Sequence, residues 1–291
     1  MTKRVSIIKH LFYFYSLSRP LNVLITIITI LIAAIITGKF TFTASLIYAI
    51  ITAAFIAAGA NMVNDIFDVE IDKINKPNRL LPSGKISIQN AWVYFSIAYI
   101  IGILFAVISN TIMLIIAIMI ALLLYLYSAY LKRTIIWGNL AVSVAAASAF
   151  IYGAQAVSYW IDGMIPAVFA LFFHFGREVV KDIQDMEGDL ANNAITFAGR
   201  FGKQKSIVLI NVIFSILIIL TLVPFILGVY NKYYLWIVLP GVDLVLACIC
   251  IALWWYNDQS SLGKISHILK LDMLVGLLSI YVGVSNVRFL N

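Results

Sequence analysis

Long apolar runs follow one another along the whole chain. Residues 21–36 and 207–227, for example, are predominantly aliphatic and show no alternation between apolar and polar positions. A run of about 20 apolar residues can cross a bilayer as a helix, whereas the strands of a membrane β-barrel alternate. The pattern therefore predicts nine transmembrane helices, at residues 20–37, 44–62, 91–109, 112–131, 136–156, 164–179, 206–228, 234–255 and 270–288.

The composition indicates a protein that lies almost entirely within a membrane. Of the 291 residues, 63% are hydrophobic and only 11% are charged, whereas soluble domains carry about 25% charged residues. The connections between the apolar runs are short, and none is a low-complexity linker. We therefore expect a single all-α membrane domain over residues 1–291, in which nine transmembrane helices form one bundle.

Basic residues are distributed unequally between the two ends of the predicted spans. With nine spans, 17 of the 20 lysines and arginines fall on the side of the N-terminus, and only Lys39, Lys232 and Arg288 fall on the other side. Cytoplasmic loops are enriched in these residues, so we expect a multi-pass protein of the cell membrane with its N-terminus in the cytoplasm. Because no soluble basic module is present, nucleic acid is not an expected partner.

Nine of the 13 carboxylates lie in two short segments, 64–72 and 178–189, each at the cytoplasmic end of a predicted span. At about 100° per residue along a helix, three aspartates of each segment share a face, whereas Glu70 and Glu187 point away as solvated charges. Like charges at this spacing repel one another, and the cost increases near hydrocarbon. A shared divalent cation would reverse the sign of that cost. The aspartates are Asp65, Asp68 and Asp72, and Asp182, Asp185 and Asp189.

The candidate ligands in these segments are mainly oxygen atoms, from the carboxylates and from the Asn61 and Asn64 amides, with His174 as the one nearby nitrogen ligand. Oxygen ligands suit Mg²⁺ or Ca²⁺, and Mg²⁺ commonly connects a few carboxylates to substrate phosphates. Arginine and lysine would neutralise the remaining phosphate oxygens, although positive-inside topology alone also explains basic loops. The nearby cations are Lys73, Lys76, Arg79, Lys85, Lys132, Arg133, Arg200, Lys203 and Lys205.

The two acidic segments match the motifs of a known family. The first segment completes the pattern NDxxDxxxD with Asn64-Asp65, Asp68 and Asp72, and the second completes DxxDxxxD with Asp182, Asp185 and Asp189. In these motifs, and over nearly its whole length, the sequence resembles the UbiA superfamily of intramembrane prenyltransferases. Weaker matches are Arg19-Pro20 with Asn22, residues 75–79 leading to 82–84, and Tyr127-Ser128 before Lys132-Arg133 with Asn139 following.

The resemblance implies a nine-helix bundle whose central cavity is capped on the cytoplasmic side by the loops 73–90 and 190–205. It implies two Mg²⁺ ions that hold the diphosphate of a prenyl donor between the motifs, with the prenyl tail in an apolar tunnel open to membrane lipids. Departure of the diphosphate leaves an allylic cation that an acceptor nucleophile captures. The implied metal ligands are Asn64, Asp68 and Asp72 for one ion, and Asp182 and Asp185 for the other.

The same resemblance assigns side chains to the substrates. Phosphate oxygens would be contacted by Arg79, Lys132 and Lys181, and the diphosphate or the nascent cation would be steadied by Tyr127 and Asn139. The full set expected to bind substrate is Arg19, Asn22, Asp65, Arg79, Lys132, Asn139, Lys181 and Asp189. The set expected to take part in catalysis is Asp68, Asp72, Tyr127, Lys132, Asp182 and Asp185.

Two classes of acceptor are compatible with the motifs. Within the superfamily, the chain most resembles archaeal enzymes that transfer a geranylgeranyl group to the free hydroxyl of geranylgeranylglyceryl phosphate, forming the second ether bond of archaeal membrane lipids. This resemblance lies in the compact length, in residues 75–84 and in residues 264–270. The many cytoplasmic cations suit such a lipid phosphate. The alternative is an aromatic acceptor, as in quinone, tocopherol or chlorophyll synthesis; no obligate protein partner is inferred.

Outside this enzyme class, the alternatives are a cation-coupled transporter and an intramembrane protease. A transporter would place its carboxylates near the bilayer midplane on broken helices, whereas here only Asp243 is predicted to lie mid-span. An aspartyl protease of this type needs a GxGD signature, and Glu187-Gly188-Asp189 lacks the first glycine. The sequence therefore favours a prenyltransferase.

Overall fold

The computed structural model describes the backbone of residues 2–191 and 194–288, and the side chains of 7–191 and 194–284. Within these residues the chain is helical apart from short connections. The predicted basic side chains Lys3, Arg4 and Arg288 lie outside the described side chains, and the predicted loop 190–205 is described except at 192–193. The first seven helices are α1 (Thr2–Leu17), α2 (Pro20–Ile35), α3 (Ala44–Phe67), α4 (Val69–Asn75), α5 (Ile88–Ser109), α6 (Thr111–Ala129) and α7 (Trp137–Gln155). The remaining helices are α8 (Met164–Gln184), α9 (Met186–Ala191), α10 (Phe197–Ile226), α11 (Lys232–Val238), α12 (Leu244–Ala252) and α13 (Gln259–Arg288).

The helices confirm the predicted all-α membrane fold. In the described residues, eight spans are long and apolar enough to cross a membrane, and a ninth is obtained if α1 and α2, which meet at 61°, count as one bent span. The bend occurs at Arg19, whose φ of 52° is left-handed, and Pro20 then begins α2. A left-handed residue followed by a proline cannot continue a helix. The predicted first span, 20–37, is therefore one arm of this bent pair.

The sequence prediction was wrong about several span boundaries. Helix α3 continues to Phe67, α8 continues to Gln184, and α10 and α13 begin at Phe197 and Gln259. The predicted spans 44–62, 164–179 and 270–288 are therefore shorter than the helices that contain them. The predicted span 206–228 agrees with the main part of α10, because a break at Gly202, with a left-handed φ of 83°, separates residues 197–201 from it. These helix ends are polar, so they give no hydropathy signal, although their backbone hydrogen bonds continue beyond the apolar part.

Two groups of helices pack on either side of α7. One group, from α2 to α6, encloses Ile30, Leu46 and Met113, and the other, from α8 to α13, encloses Phe214 and Leu246. Outward-facing aliphatic side chains cover α5 and α6, where Ile100, Leu104, Ile115 and Leu122 are between 52% and 59% exposed. Such large apolar exposure is expected of a surface that faces lipid.

A cavity of about 740 Å³ lies between the two groups of helices. Most of its charged lining residues lie near the two acidic motifs, and large parts of its remaining walls are apolar. Ile56, Ile116 and Leu124 come from the first group, and Phe169 and Leu217 come from the second. The cavity therefore combines one charged region with apolar surfaces supplied by both halves of the bundle.

Two aspartates are buried within the second group of helices. Asp243 ends a π-helical turn, Leu239–Asp243, and both of its oxygens lie 3.1 Å from the Thr221 hydroxyl, which donates to them. Asp272 is 4% exposed and lines the cavity, and neither of its oxygens has a hydrogen-bond partner among the described residues. Because α13 begins at Gln259, Asp272 lies well inside a span. The expectation that Asp243 is the only mid-span acid was therefore wrong.

Close approach of α2 to α7 depends on Gly153. A Cβ atom at this position would lie 2.5 Å from the carbonyl oxygen of Ile30, a backbone atom that cannot move aside. We expect Gly153→Ala to destabilise the protein by about 1–3 kcal/mol through overpacking, measured as a lower melting temperature in detergent. The matched control is Gly276→Ala, whose nearest neighbour would be Val242 Cγ2 at 3.9 Å. Equal melting temperatures for the two variants would contradict this packing.

Asp272 gives a second prediction, because a buried carboxylate without a partner opposes folding. We expect Asp272→Asn to raise the melting temperature by at least about 2 °C, because the variant removes a buried carboxylate that has no partner. The control is Asp243→Asn, which weakens the contact with Thr221 and should not raise it. A lower melting temperature for Asp272→Asn would show that the carboxylate is compensated in solution.

Candidate active site

Each acidic motif begins in a long helix, passes through a bend at its middle aspartate and ends in a short helix. Asp68 (φ −92°, ψ 2°) separates α3 from α4, and Asp185 (φ −95°, ψ 5°) separates α8 from α9. The four-residue hydrogen-bond register continues through both bends, since the Asp72 N–H donates to the Asp68 carbonyl at 2.7 Å and the Asp189 N–H donates to the Asp185 carbonyl at 3.0 Å. The motif aspartates therefore remain neighbours although the helix is not continuous.

The carboxylates of the first motif are paired with cations from three other segments. Arg79 donates from Nη1 to Asp72 at 2.5 Å and to Asp65 at 3.3 Å, which shows that these two carboxylates lie on the same side. Arg19, at the bend between α1 and α2, also pairs with Asp65. The remaining two contacts to this motif go to Asp68, from Lys132 Nζ and from Asn64 Nδ2 at 2.8 Å.

The second motif has fewer cationic partners. Lys76 pairs with Asp185 at 2.8 Å, and Asn139 donates from Nδ2 to Asp182 at 2.8 Å. Asp189 is buried, and neither it nor Asp182 takes part in the ion pairs found in the described part of the chain. The end of α4 also touches the second motif, because Asn75 Nδ2 donates to the Asp185 carbonyl at 3.4 Å. The short helices that end the motifs thus meet over the cavity.

Gly138 determines where Lys132 and Asn139 lie. The turn that carries Lys132, Leu131–Arg133, packs so closely on the start of α7 that a Cβ on Gly138 would lie 2.8 Å from the Leu131 carbonyl oxygen. Lys132 consequently reaches the first motif while Asn139, the next residue on α7, reaches the second. The role of Gly138 was missed by the sequence analysis, and the only available signal was its position directly before Asn139.

The residue chemistry of the motifs fits a divalent cation such as Mg²⁺. Six aspartates face four contacting cations, so a surplus of negative charge remains. The side-chain atoms of the motifs that could bind a metal are oxygens, which are the ligands that Mg²⁺ prefers. In the described part of the chain, no three acidic, histidine or cysteine side chains converge closely enough to enclose an ion. This spacing suits a metal that is also held by substrate phosphate oxygens.

The electrostatics of the motifs agree with incomplete charge compensation. Burial raises the pKa of Asp72 above its ordinary value despite the adjacent Arg79. Burial likewise raises the pKa of Asp189 to about 6, against the opposing effect of Lys132. For Lys132, burial lowers the pKa, but Asp68, Asp189 and Asp185 outweigh it, so the net pKa lies above its ordinary value. Lys132 is therefore a permanent cation, and the aspartates hold charge that their partners do not fully neutralise.

The cavity also contains cations that the sequence analysis did not assign. Arg177, on α8, and Lys270, on α13, both line it. Lys181, which was predicted to contact phosphate, pairs with Glu178 at 2.8 Å, and Arg177 pairs with the same carboxylate at 3.3 Å. In the sequence, Lys270 is distinguished only as a single lysine directly before an apolar run.

The structure brings together most of the predicted site residues, of which some line the cavity and others do not. The residues that line the cavity are Arg19, Asn22, Asn64, Asp68, Arg79, Tyr127, Lys132, Lys181 and Asp185. Those not among the lining residues are Asp65, Asp72, Asn139, Asp182 and Asp189. Several loop cations lie elsewhere, since Lys73 pairs with the exposed Glu70 and Lys203 donates to the Asn257 carbonyl. Topology alone is sufficient to explain those two lysines.

Comparison with known proteins identifies the family. Residues 23–270 match the UbiA prenyltransferase family. The chain is 36% identical to digeranylgeranylglyceryl phosphate synthase from Sulfurisphaera tokodaii, over 80% of this chain and 85% of that protein. A solved structure of a digeranylgeranylglyceryl phosphate synthase is 32% identical, with a TM-score of 0.76, and the match covers 95% of this chain and 99% of that one. A UbiA homolog from Archaeoglobus fulgidus bound to DMAPP and Mg²⁺ shares the fold at 17% identity, with a TM-score of 0.65 over 92% of this chain and 98% of that one. The chain therefore belongs to the UbiA prenyltransferase family and is a membrane prenyltransferase.

Proposed function

We propose that this enzyme transfers a geranylgeranyl group from geranylgeranyl diphosphate to the free hydroxyl of geranylgeranylglyceryl phosphate. The similarity to digeranylgeranylglyceryl phosphate synthases over nearly the whole chain carries this proposal. The cavity supports it, because its charged end, near the motifs, adjoins apolar surfaces from both halves of the bundle. A donor and an acceptor that each carry a long prenyl chain require two such apolar surfaces.

The metal in this proposal is Mg²⁺, held by Asn64, Asp68 and Asp72 in the first motif and by Asp182 and Asp185 in the second. Mg²⁺ in the A. fulgidus homolog supports the use of this cation, and two ions would offset the surplus of carboxylates. When bound, Mg²⁺ supplies positive charge that stabilises the departing diphosphate. Asp65 and Asp189 would support these ligands; like Asp72 and Asp182, they are not among the residues that line the cavity.

The cations that now pair with the motif carboxylates would exchange partners when the donor binds. Lys76, Arg79 and Lys132 come from segments outside the motif helices and approach the carboxylates from the cavity. If metal ions take over Asp68, Asp72 and Asp185, the partners of these three cations are occupied, and the ammonium and guanidinium groups become free to contact phosphate oxygens. Charge-assisted hydrogen bonds of this type are strong and stabilise the negative charge that develops on the leaving group.

The chemical step is substitution at C1 of the donor. The bond between C1 and the diphosphate oxygen breaks, and its electron pair leaves with the diphosphate. The hydroxyl oxygen of the acceptor then forms the new ether bond to C1, and its proton passes to an oxygen base of the head-group region, either a motif carboxylate or the departing diphosphate. The Tyr127 ring, which lines the cavity, would stabilise the positive charge at C1.

Water must be excluded during this step, because it would capture the cation in place of the acceptor. The contact between Asn75 and the Asp185 carbonyl, and the ion pair between Lys76 and Asp185, join the ends of the two motifs. Bound diphosphate would add further contacts between the same segments. The donor would therefore favour the closed arrangement that protects the cation.

We further propose that the motif ends of the helices face the cytoplasm, as the basic residue distribution predicts. Cys248 and Cys250 would first be replaced by alanine, and Lys39→Cys and Lys85→Cys would be introduced singly, both at exposed positions. In right-side-out vesicles, an impermeant maleimide is expected to label Cys at 39 directly and Cys at 85 only after permeabilisation. The reverse labelling pattern would reverse the orientation.

The reaction is tested with purified enzyme, Mg²⁺ and radiolabelled geranylgeranyl diphosphate. Parallel reactions would contain geranylgeranylglyceryl phosphate, 4-hydroxybenzoate or no acceptor. We expect a labelled diether only with the glyceryl phosphate, and its loss on addition of EDTA. A labelled aromatic product would confirm prenyl transfer but would show that the acceptor is aromatic and not the glyceryl phosphate.

The matched variants for this assay are Asp68→Asn and Glu70→Gln. Asp68 is buried in the first motif, whereas Glu70 is exposed two residues away and pairs with Lys73. We expect Asp68→Asn to reduce kcat/KM at least 100-fold, on the order of the effect of removing one group that stabilises charge in the transition state. For Glu70→Gln, kcat/KM should remain within about twofold of the wild-type value. Full activity in Asp68→Asn would refute the proposed metal site.

A further inference from the structure

A second group of charged residues lines the cavity apart from the ion pairs of the motifs. It consists of Arg177, Glu178 and Lys181 on α8 and Lys270 on α13. Glu178 accepts hydrogen bonds from both of its cationic neighbours on α8. The ammonium group of Lys270 donates to the uncharged side-chain oxygen of Asn22 at 2.5 Å. Arg177 and Lys181 therefore share one carboxylate, whereas Lys270 takes part in none of the ion pairs found in the described part of the chain.

The arrangement leaves positive charge uncompensated. Lys270 lines the same cavity as Arg177, Lys181 and Arg19, so these four cations surround one shared space. The charge of Arg19 is matched by Asp65, but the Nε of Arg177 is buried and has no hydrogen-bond partner among the described residues. Like charges that are partly removed from water repel strongly, and a buried donor without a partner is costly. An anion bound at this position would satisfy both the charge and the free donor.

The donor diphosphate already has its partners in the motifs, namely the metal ligands and the cations Lys76, Arg79 and Lys132. The second group would therefore serve a different anion. A phosphate monoester carries about −1.5 to −2 charges near neutral pH, which matches the excess of three cations over the one carboxylate, Glu178, in this group. Beyond Lys270, the same helix presents Met273, Leu277 and Ile280 to the cavity at helical spacing. A lipid whose phosphate is bound by Lys270 could place its chain along this apolar stripe.

We propose that Arg177, Lys181 and Lys270 form the binding site for the phosphate group of the acceptor lipid. Asn22 and Glu178 act as positioning residues, since they orient Lys270 and the two cations of α8. This inference rests on the proposed function and assigns the acceptor head group to one side of the shared cavity. The same charges would select a phosphorylated lipid over its dephosphorylated form, because the neutral lipid would leave them unpaired.

The test is a comparison of Michaelis constants in Lys270→Gln. We expect KM for geranylgeranylglyceryl phosphate to rise on the order of 10- to 100-fold, the loss typical of a hydrogen bond to a charged group. KM for geranylgeranyl diphosphate should remain within about twofold. Lys270→Arg, which keeps the charge, should restore much of the affinity for the acceptor. Lys264→Gln is the matched control, because it removes an exposed lysine of the same helix that does not line the cavity.

Two further readouts make the result decisive. Lys270→Gln should reduce the preference of the enzyme for geranylgeranylglyceryl phosphate over geranylgeranylglycerol. In the absence of donor, the phosphorylated lipid should raise the melting temperature of the wild type more than it raises that of the variant. If Lys270→Gln does not fold, Lys181→Gln, whose side chain is 34% exposed, takes its place. An equal rise in the KM of donor and acceptor, or no rise in either, would overturn the phosphate site while leaving the reaction intact. Failure of the wild type to use the glyceryl phosphate at all would overturn the proposed function as well.

Discussion

The arrangement of this protein depends on the need to compensate carboxylates at the edge of a membrane. Six aspartates stand at the ends of α3 and α8, where burial makes each unpaired negative charge costly. Their cationic partners come from the bend before α2, from the segment after α4 and from the turn after α6. The same ion pairs therefore join the ends of helices that are distant in sequence. Electrostatics at one end of the bundle complements the apolar packing that holds its interior.

This compensation is incomplete, and under the proposed function the remaining negative charge would be neutralised by metal ions. Lysine and arginine side chains are long and can exchange one oxygen partner for another without backbone movement. Metal ions and a diphosphate can thus replace contacts that already exist in the protein, so that the charges need little reorganisation during the reaction. The bends at Asp68 and Asp185 preserve the spacing of the carboxylates while directing α4 and α9 toward each other. The residues that bind charge are consequently also the residues that cover the cavity.

Helix α8 connects the two proposed head-group sites. Asp182 and Asp185 belong to the acidic motif that would hold the donor, whereas Arg177 and Lys181 belong to the group that would hold the acceptor phosphate. Glu178 lies between Arg177 and Lys181 in the sequence, and it is buried and paired with both. Since all of these residues lie within about two turns of one helix, the two head groups would be held at a short and constant separation. That proximity would bring the acceptor hydroxyl near C1 of the donor.

The sequence by itself determined the class of protein, since apolar runs of spanning length are a local property of the chain. It also identified the acidic motifs and the oxygen-rich chemistry that suits Mg²⁺, because the spacing of Asp65, Asp68 and Asp72 and of Asp182, Asp185 and Asp189 lies within one or two helical turns. Only the tertiary structure decided which cations reach these aspartates, that Gly138 allows Lys132 and Asn139 to contact different motifs, and that Arg177 and Lys270 share the cavity. These features join residues up to 248 positions apart, as in the contact between Asn22 and Lys270. No local pattern specifies such pairs, because they arise from the packing of whole helices.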